Sequence, residues 1–134
     1  MFRIILGIFI ILHGLVHLLY FGQSAGYFEL KPGMDWPDGS WALSKLPGET
    51  ATKTPAGIAL IAAALIFAAG GVGILLNQAW WRQMLVAATT FSSLIFILLW
   101  DGRMHNLDGQ GLIGILINLT LVVILFLLHW PSIE

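Results

Sequence analysis

Four stretches of the chain stay apolar and uncharged long enough to be read as single units. They are Ile4–Phe21, Ala56–Leu76, Gln83–Trp100 and Gly111–Trp130, runs of 18 to 21 residues. None shows strand-like alternation and proline stays out of their interiors, so each predicts a helix. A helix in water keeps a charged outer face, and these have none. Their lengths match the hydrocarbon thickness of a bilayer. The pattern predicts an all-α fold: an integral membrane four-helix bundle, one domain over residues 1–134. The helices are expected near Phe2–Phe21, Pro55–Leu76, Trp81–Trp100 and Gly111–Trp130. The first run is read as a membrane helix, not a signal peptide, because its apolar core is too long and no A-x-A site follows.

The residues around these runs sharpen the picture. Pro55 is expected just ahead of helix 2, where a missing N–H costs nothing, and Pro131 stops helix 4. The turn Asn77–Trp80 is short, so helices 2 and 3 should be antiparallel neighbours. Trp80, Trp81, Trp100 and Trp130 fall at helix ends, the pattern of an aromatic belt among headgroups. Helix 2 is rich in small residues, with Ala59 and Ala63, Ala64 and Ala68, and Ala69 and Gly73 each four apart. That spacing allows close helix approach in lipid, onto either helix 3 or a second protomer. Gly22–Thr54 is different in kind. It carries seven charges, three prolines and five glycines, together with Trp36 and Trp41. It is expected to form a polar cap that folds over the helix ends or lies on the membrane.

Composition adds exclusions. Six Lys or Arg and seven Asp or Glu give a net charge of −1, and all 13 lie outside the four runs. There is no basic run, so nucleic acid is not an expected partner. There is no cysteine, which removes disulfides, iron–sulfur clusters and thiol relays. Arg3 and Arg82 lie on the side of the termini, against Lys31, Lys45, Lys53 and Arg103 on the loop side. The positive-inside rule mildly favours cytoplasmic loops, without fixing the orientation.

The candidate chemistry lies inside the spans. His13, His17 and Tyr20 share one face of helix 1. Gly111, Gly114 and Asn118 share a face of helix 4, which places Asn118 about 10 Å deep at 1.5 Å per residue. Thr89, Thr90, Ser92 and Ser93 occupy the middle of helix 3, and Thr120 lies just below Asn118. Polar side chains in lipid need partners. The expected ligand site is therefore a pocket of His13, His17, Tyr20, Ser92, Ser93, Asp101 and Asn118, open toward the loop side, with Trp36 and Trp41 as its lid. A hydrogen-bond network that only fixes the packing is the competing reading.

His13-Gly14-x-x-His17 has the spacing of a zinc-protease helix, but Gly14 replaces the catalytic Glu, so such hydrolysis is not expected. Four histidines are too few for the His boxes of membrane di-iron hydroxylases. A metal on His13, His17 and Asp101 or His105 stays open, as does axial haem or pigment ligation by His13 or His17. His129 lies at the opposite end of the bundle and is read as interfacial.

Several of these residues carry a resemblance. Arg3 leads an apolar run into His13-Gly14-Leu15-Val16-His17, Trp80-Trp81 opens helix 3, Trp100-Asp101 closes it, and Asn118 follows in helix 4. Together they resemble small bacterial four-helix membrane proteins loosely similar to the DoxX-like group. The resemblance spans most of the bundle but not Gly22–Thr54. It implies a membrane subunit near quinone-linked oxidoreductases, in the bacterial cytoplasmic membrane. In that pattern Trp-Asp continues with Ala and Lys. Gly102-Arg103 stands here instead, so a role for the basic residue would pass to Arg103.

The expected function is that of a small integral membrane subunit or accessory protein. It would hold a hydrophobic small molecule, a quinone or lipid, in the His-lined pocket, with His17 and Asp101 handling protons at its headgroup. No cofactor and no reaction is assigned. The alternatives are a structural subunit of a larger membrane complex or homo-oligomer, built on the small face of helix 2, and a haem or pigment carrier.

Overall fold

The computed structural model describes residues 1–34, 36, 40–43, 49–105 and 107–128. Its helices are α1 (Phe2–Ser24), α2 (Glu49–Leu75), α3 (Trp81–Leu99) and α4 (Leu112–Val122). Helix α4 is entered through a short 3-10 turn at Leu107–Gln110 and continues as a π-helical turn, Val123–Leu127. No strand occurs among the described residues. The first three helices are long and apolar enough to cross a membrane, and the fourth is apolar but shorter within the described residues. This is an all-α, four-helix membrane protein. Lys45, Pro47, Pro37, His129, Trp130 and Pro131, to which the sequence assigned roles, lie outside the described residues.

Successive helices pack in order, α1 on α2, α2 on α3 and α3 on α4. The small residues of α2 serve α1 first. A Cβ on Gly71 would stand 2.8 Å from the Gly7 carbonyl, and one on Gly14 would stand 2.6 Å from Phe67 Cβ. Gly7, Gly14 and Gly71 thus let the two backbones approach with almost nothing between them. On the α3 side, Gly70 meets Leu85, while Gly73 meets Trp80 and Trp81. The glycines of the stripe are thus used within the chain by both neighbours, while Ala59, Ala68 and Ala69 stay partly exposed.

Two positions depart from expectation. Helix α2 starts at Glu49, so Pro55 lies inside it. The ring removes one helix hydrogen bond at the polar end of the span, where the freed carbonyl is easily served. Trp81 is buried in the core, with the Arg82 guanidinium 4.6 Å above its ring. The indole of Trp80 lies over Gly73 beside the Trp81 Cβ, and the Trp81 ring points into the core, away from a belt at the headgroups.

The interior is layered. Ile10, Phe67, Ala88 and Leu121 belong to an apolar cluster toward the termini. Leu60, Ala63, Ile95 and Phe96 belong to a second cluster toward the loops. Between them on each contributing helix come the buried polar residues: His13 and His17 on α1, Thr89 and Ser92 on α3, Asn118 on α4.

The cap segment is tied down by backbone groups that a helix end leaves open. Trp41 N–H donates to Trp100 O at 2.8 Å, and its indole Nε1–H donates to Ile97 O at 2.7 Å. Ser40 Oγ–H donates to Leu98 O. Three carbonyls at the end of α3 are thereby satisfied. At the end of α1, Gln23 donates to Met34 O at 2.9 Å and accepts from Leu30 N–H at 2.7 Å.

Candidate functional site

Gly14 is the local reason the two histidines meet α2. Its missing side chain brings α1 down onto Phe67 and Ala64, so His13 and His17 flank it against the Phe67 ring. The ring centroids are 4.9 Å from His13 and 5.4 Å from His17. His17 also meets Phe96 of α3 at 5.5 Å.

The polar edges of the rings enter a network of five side chains. His17 Nε2 lies 2.7 Å from Ser92 Oγ, and His17 Nδ1 lies 3.2 Å from Gly14 O. Asn118 Nδ2 donates to Ser92 Oγ at 3.0 Å and to Ser93 Oγ at 3.2 Å. Asn118 Oδ1 lies 3.0 Å from His13 Nε2.

The direction of this chain follows from one fixed point. A backbone carbonyl only accepts, so His17 Nδ1 carries the proton. In the neutral ring Nε2 is then an acceptor, and Ser92 must donate its hydroxyl proton to it. Ser92 Oγ therefore accepts from the Asn118 amide, which turns Asn118 Oδ1 toward His13. That oxygen accepts, so His13 is protonated at Nε2. The two histidines hold opposite tautomers. The His13 Nδ1 lone pair is unused by the network, and His13 lines a cleft between α1 and α4.

Helices α1 and α4, first and last in order, are bridged by the His13–Asn118 bond, and a cleft of about 250 Å³ runs between them. His13, His17 and Tyr20 line it from α1, Phe96 from α3, Gly114 and Ile117 from α4, and Asp108 stands at its loop end. Val16 and Ile113 line its edges and are also exposed on the outer surface. In a bilayer that places the opening against acyl chains.

Tyr20, Trp36 and Phe96 pack together at the loop end. Trp36 stacks on Phe96 at 5.5 Å and meets the edge of Tyr20 at 5.0 Å. Beyond this aromatic partition lies a second, polar cavity of about 200 Å³, lined by Lys31, Trp36, Asp101, Arg103 and His105 among others. The Trp36 indole N–H is buried without an acceptor among the described residues. Lys31 Nζ reaches Asp108 at 3.5 Å across the surface. The Gly109 N–H and then the Lys31 ammonium hold the Asp108 carboxyl below the usual carboxylate range.

The site residues inferred from sequence are thus only partly gathered. His13, His17 and Tyr20 line the cleft; Ser92, Ser93 and Asn118 stand behind it as the network. Asp101 lines the polar cavity instead, where its Oδ1 accepts Arg103 N–H at 2.8 Å. The acid at the cleft is Asp108. Trp36 belongs to the partition, whereas Trp41 lines neither cavity and anchors the cap to α3. Thr89 and Thr120 donate to carbonyls of their own helices. Among the described residues no three metal-ligating side chains come together, and both nitrogens of His17 are engaged. Phe67 and Phe96 were missed. The sequence signals were a lone aromatic in the alanine stripe of α2, and an aromatic one helical turn beyond Ser92. Against known proteins, the chain matches no family model, no curated protein and no solved structure.

Proposed function

We propose that this protein is a small membrane subunit or accessory protein that holds a hydrophobic small molecule, a quinone or a lipid, in the cleft between α1 and α4. The observation that carries the reading is a cleft with largely apolar walls between α1 and α4, lined by a histidine that a hydrogen-bond network positions. Ligand sites have this composition, apolar walls with a few placed polar groups. Ionisable residues held at membrane depth are the ones expected to act on a ligand. His13, with its unused Nδ1, takes the headgroup-facing role; His17 is committed to Ser92 and Gly14 and positions the network. Asp108 replaces Asp101 as the acid near the headgroup. The motif residues that resemble the DoxX-like group point to a bacterial cytoplasmic membrane and a quinone-linked partner.

The glycines of the small-residue face of α2, on which a purely structural role would rest, pack against α1 and α3. Axial haem ligation by His17 would displace either Ser92 or Gly14 O. The test is gentle purification followed by extraction and mass spectrometry of what stays bound. One quinone or one lipid species enriched far above its share of the membrane is expected. Bulk phospholipid alone, in membrane proportions, would overturn the reading.

A further inference from the structure

The network described above does more than hold two rings, because its direction decides what the cleft can recognise. Gly14 O fixes the proton on His17 Nδ1, and each bond in turn fixes the next, ending with a proton on His13 Nε2. What His13 offers beyond the network is therefore a lone pair. The acidic group lining the cleft, Asp108, is a carboxylate and, when ionised, only accepts. The Tyr20 hydroxyl can turn to either role. Elsewhere the cleft is walled by Val16, Phe96, Gly111, Ile113, Gly114 and Ile117, whose side chains offer nothing to a ligand carbonyl.

We infer that the cleft selects amphiphiles whose polar end donates a hydrogen bond, a hydroxyl such as that of a hydroquinone or a lipid alcohol, over their carbonyl or ether counterparts. This rests on the proposed ligand role of the cleft and names its ligand class. A hydroxyl meets His13 Nδ1 with matched polarity. At His13 a quinone carbonyl would set lone pair against lone pair, leaving the Tyr20 hydroxyl as the side chain able to serve it. A site built to bond a hydroxyl rejects the analogue without one far more strongly than an apolar pocket rejects a missing methylene.

The test uses the full chain in nanodiscs of phosphatidylcholine. An alkyl hydroquinone kept reduced, its quinone and its dimethyl ether are titrated, and a fatty alcohol is run against its methyl ether. The hydroquinone should bind at least about tenfold tighter than quinone or ether. If the fatty alcohol shows the same preference over its ether, the ligand class extends to lipid alcohols; a preference confined to the aromatic pair restricts it to hydroquinones. Quinone or ether binding as tightly as hydroquinone overturns the inference and leaves the cleft a ligand site. No binding by any probe overturns both.

His13→Phe keeps a ring against Phe67 and removes the lone pair, so the preference should vanish in it; a preference unchanged there also overturns the inference. Nitrogen-15 spectra of the wild-type protein give a readout that survives if this variant misfolds. Hydroquinone should move the His13 Nδ1 signal and leave His17 Nδ1 in place. A His13 signal that does not respond to bound hydroquinone counts against the assignment in the same way.

Discussion

Asn118 is the side chain on which the polar layer depends. It joins three residues on two other helices, accepting from His13 and donating to Ser92 and Ser93, and it is almost fully buried. Replacing it with leucine conserves bulk but leaves the His13 Nε2–H without an acceptor and Ser92 without a donor. An unsatisfied buried group costs about 1–3 kcal/mol. Interhelical bonds in membrane proteins average nearer about 0.6 kcal/mol in double-mutant cycles, so the lower end of that range is the expected loss for Asn118→Leu. Unfolding in mixed micelles measures it, and a variant as stable as wild type would show that the bonds contribute nothing. The ligand-free protein should also show a protonated Nε2 on His13 and a protonated Nδ1 on His17 by nitrogen-15 NMR. Identical tautomers would break the chain of donors.

At the scale of elements, two glycines should behave oppositely. A side chain at Gly71 collides with the backbone of α1 at Gly7 and Ile11, and backbone cannot move aside as a flexible side chain can. Gly71→Leu is therefore expected to lose about 1–3 kcal/mol through overpacking. A Cβ at Gly114 meets only the Phe96 ring, at an ordinary 3.8 Å. Gly114→Phe should keep wild-type stability while filling the cleft, and should abolish retention of the bound molecule in the extraction experiment. Retention unchanged in that variant would place the ligand elsewhere. Much of this level was legible in the sequence, for a physical reason. Helix 1 shows His13 and His17 one turn apart, and uncharged runs reveal spans directly. Which helix would sit in the groove of α2 was not legible, because small-residue spacing marks a face without marking its partner. Pro55 was misplaced because the polar Glu49–Thr54 segment carries the helix beyond the apolar run.

On the scale of the whole molecule, most of the charge gathers at the loop end and in the covering segment, with Arg3 and Arg82 on the opposite side. The pairing of Lys31 with Asp108 joins the cap to the turn ahead of α4, but both side chains are exposed, and exposed pairs contribute little. The sign of its pH dependence is fixed nonetheless. With the Asp108 carboxyl held below its ordinary range, the contribution is present above that range and is lost as pH falls through the depressed value. Lys31→Ala should leave overall stability at neutral pH close to wild type and weaken that acid-side dependence. A large loss at neutral pH would show that the cap depends on Lys31. The polar residues of the cap gave no sequence signal for the two separate cavities. That separation arises from Tyr20, Trp36 and Phe96 meeting across three distant segments, a contact no local pattern encodes.

The bond between His13 and Asn118 also bears on how the last helix finds its place. Along its apolar length α4 offers many similar leucine and isoleucine faces, and sliding by one turn, about 5.4 Å, would exchange one for another at little cost. Such a slip would withdraw Asn118 from His13, Ser92 and Ser93 together. A single asparagine thus acts as a register pin: like the buried asparagines that align coiled coils, it makes one axial position of α4 distinct from its neighbours. Insertion of the fourth helix then ends at a defined depth, and the cleft opens at the same height in every copy of the chain.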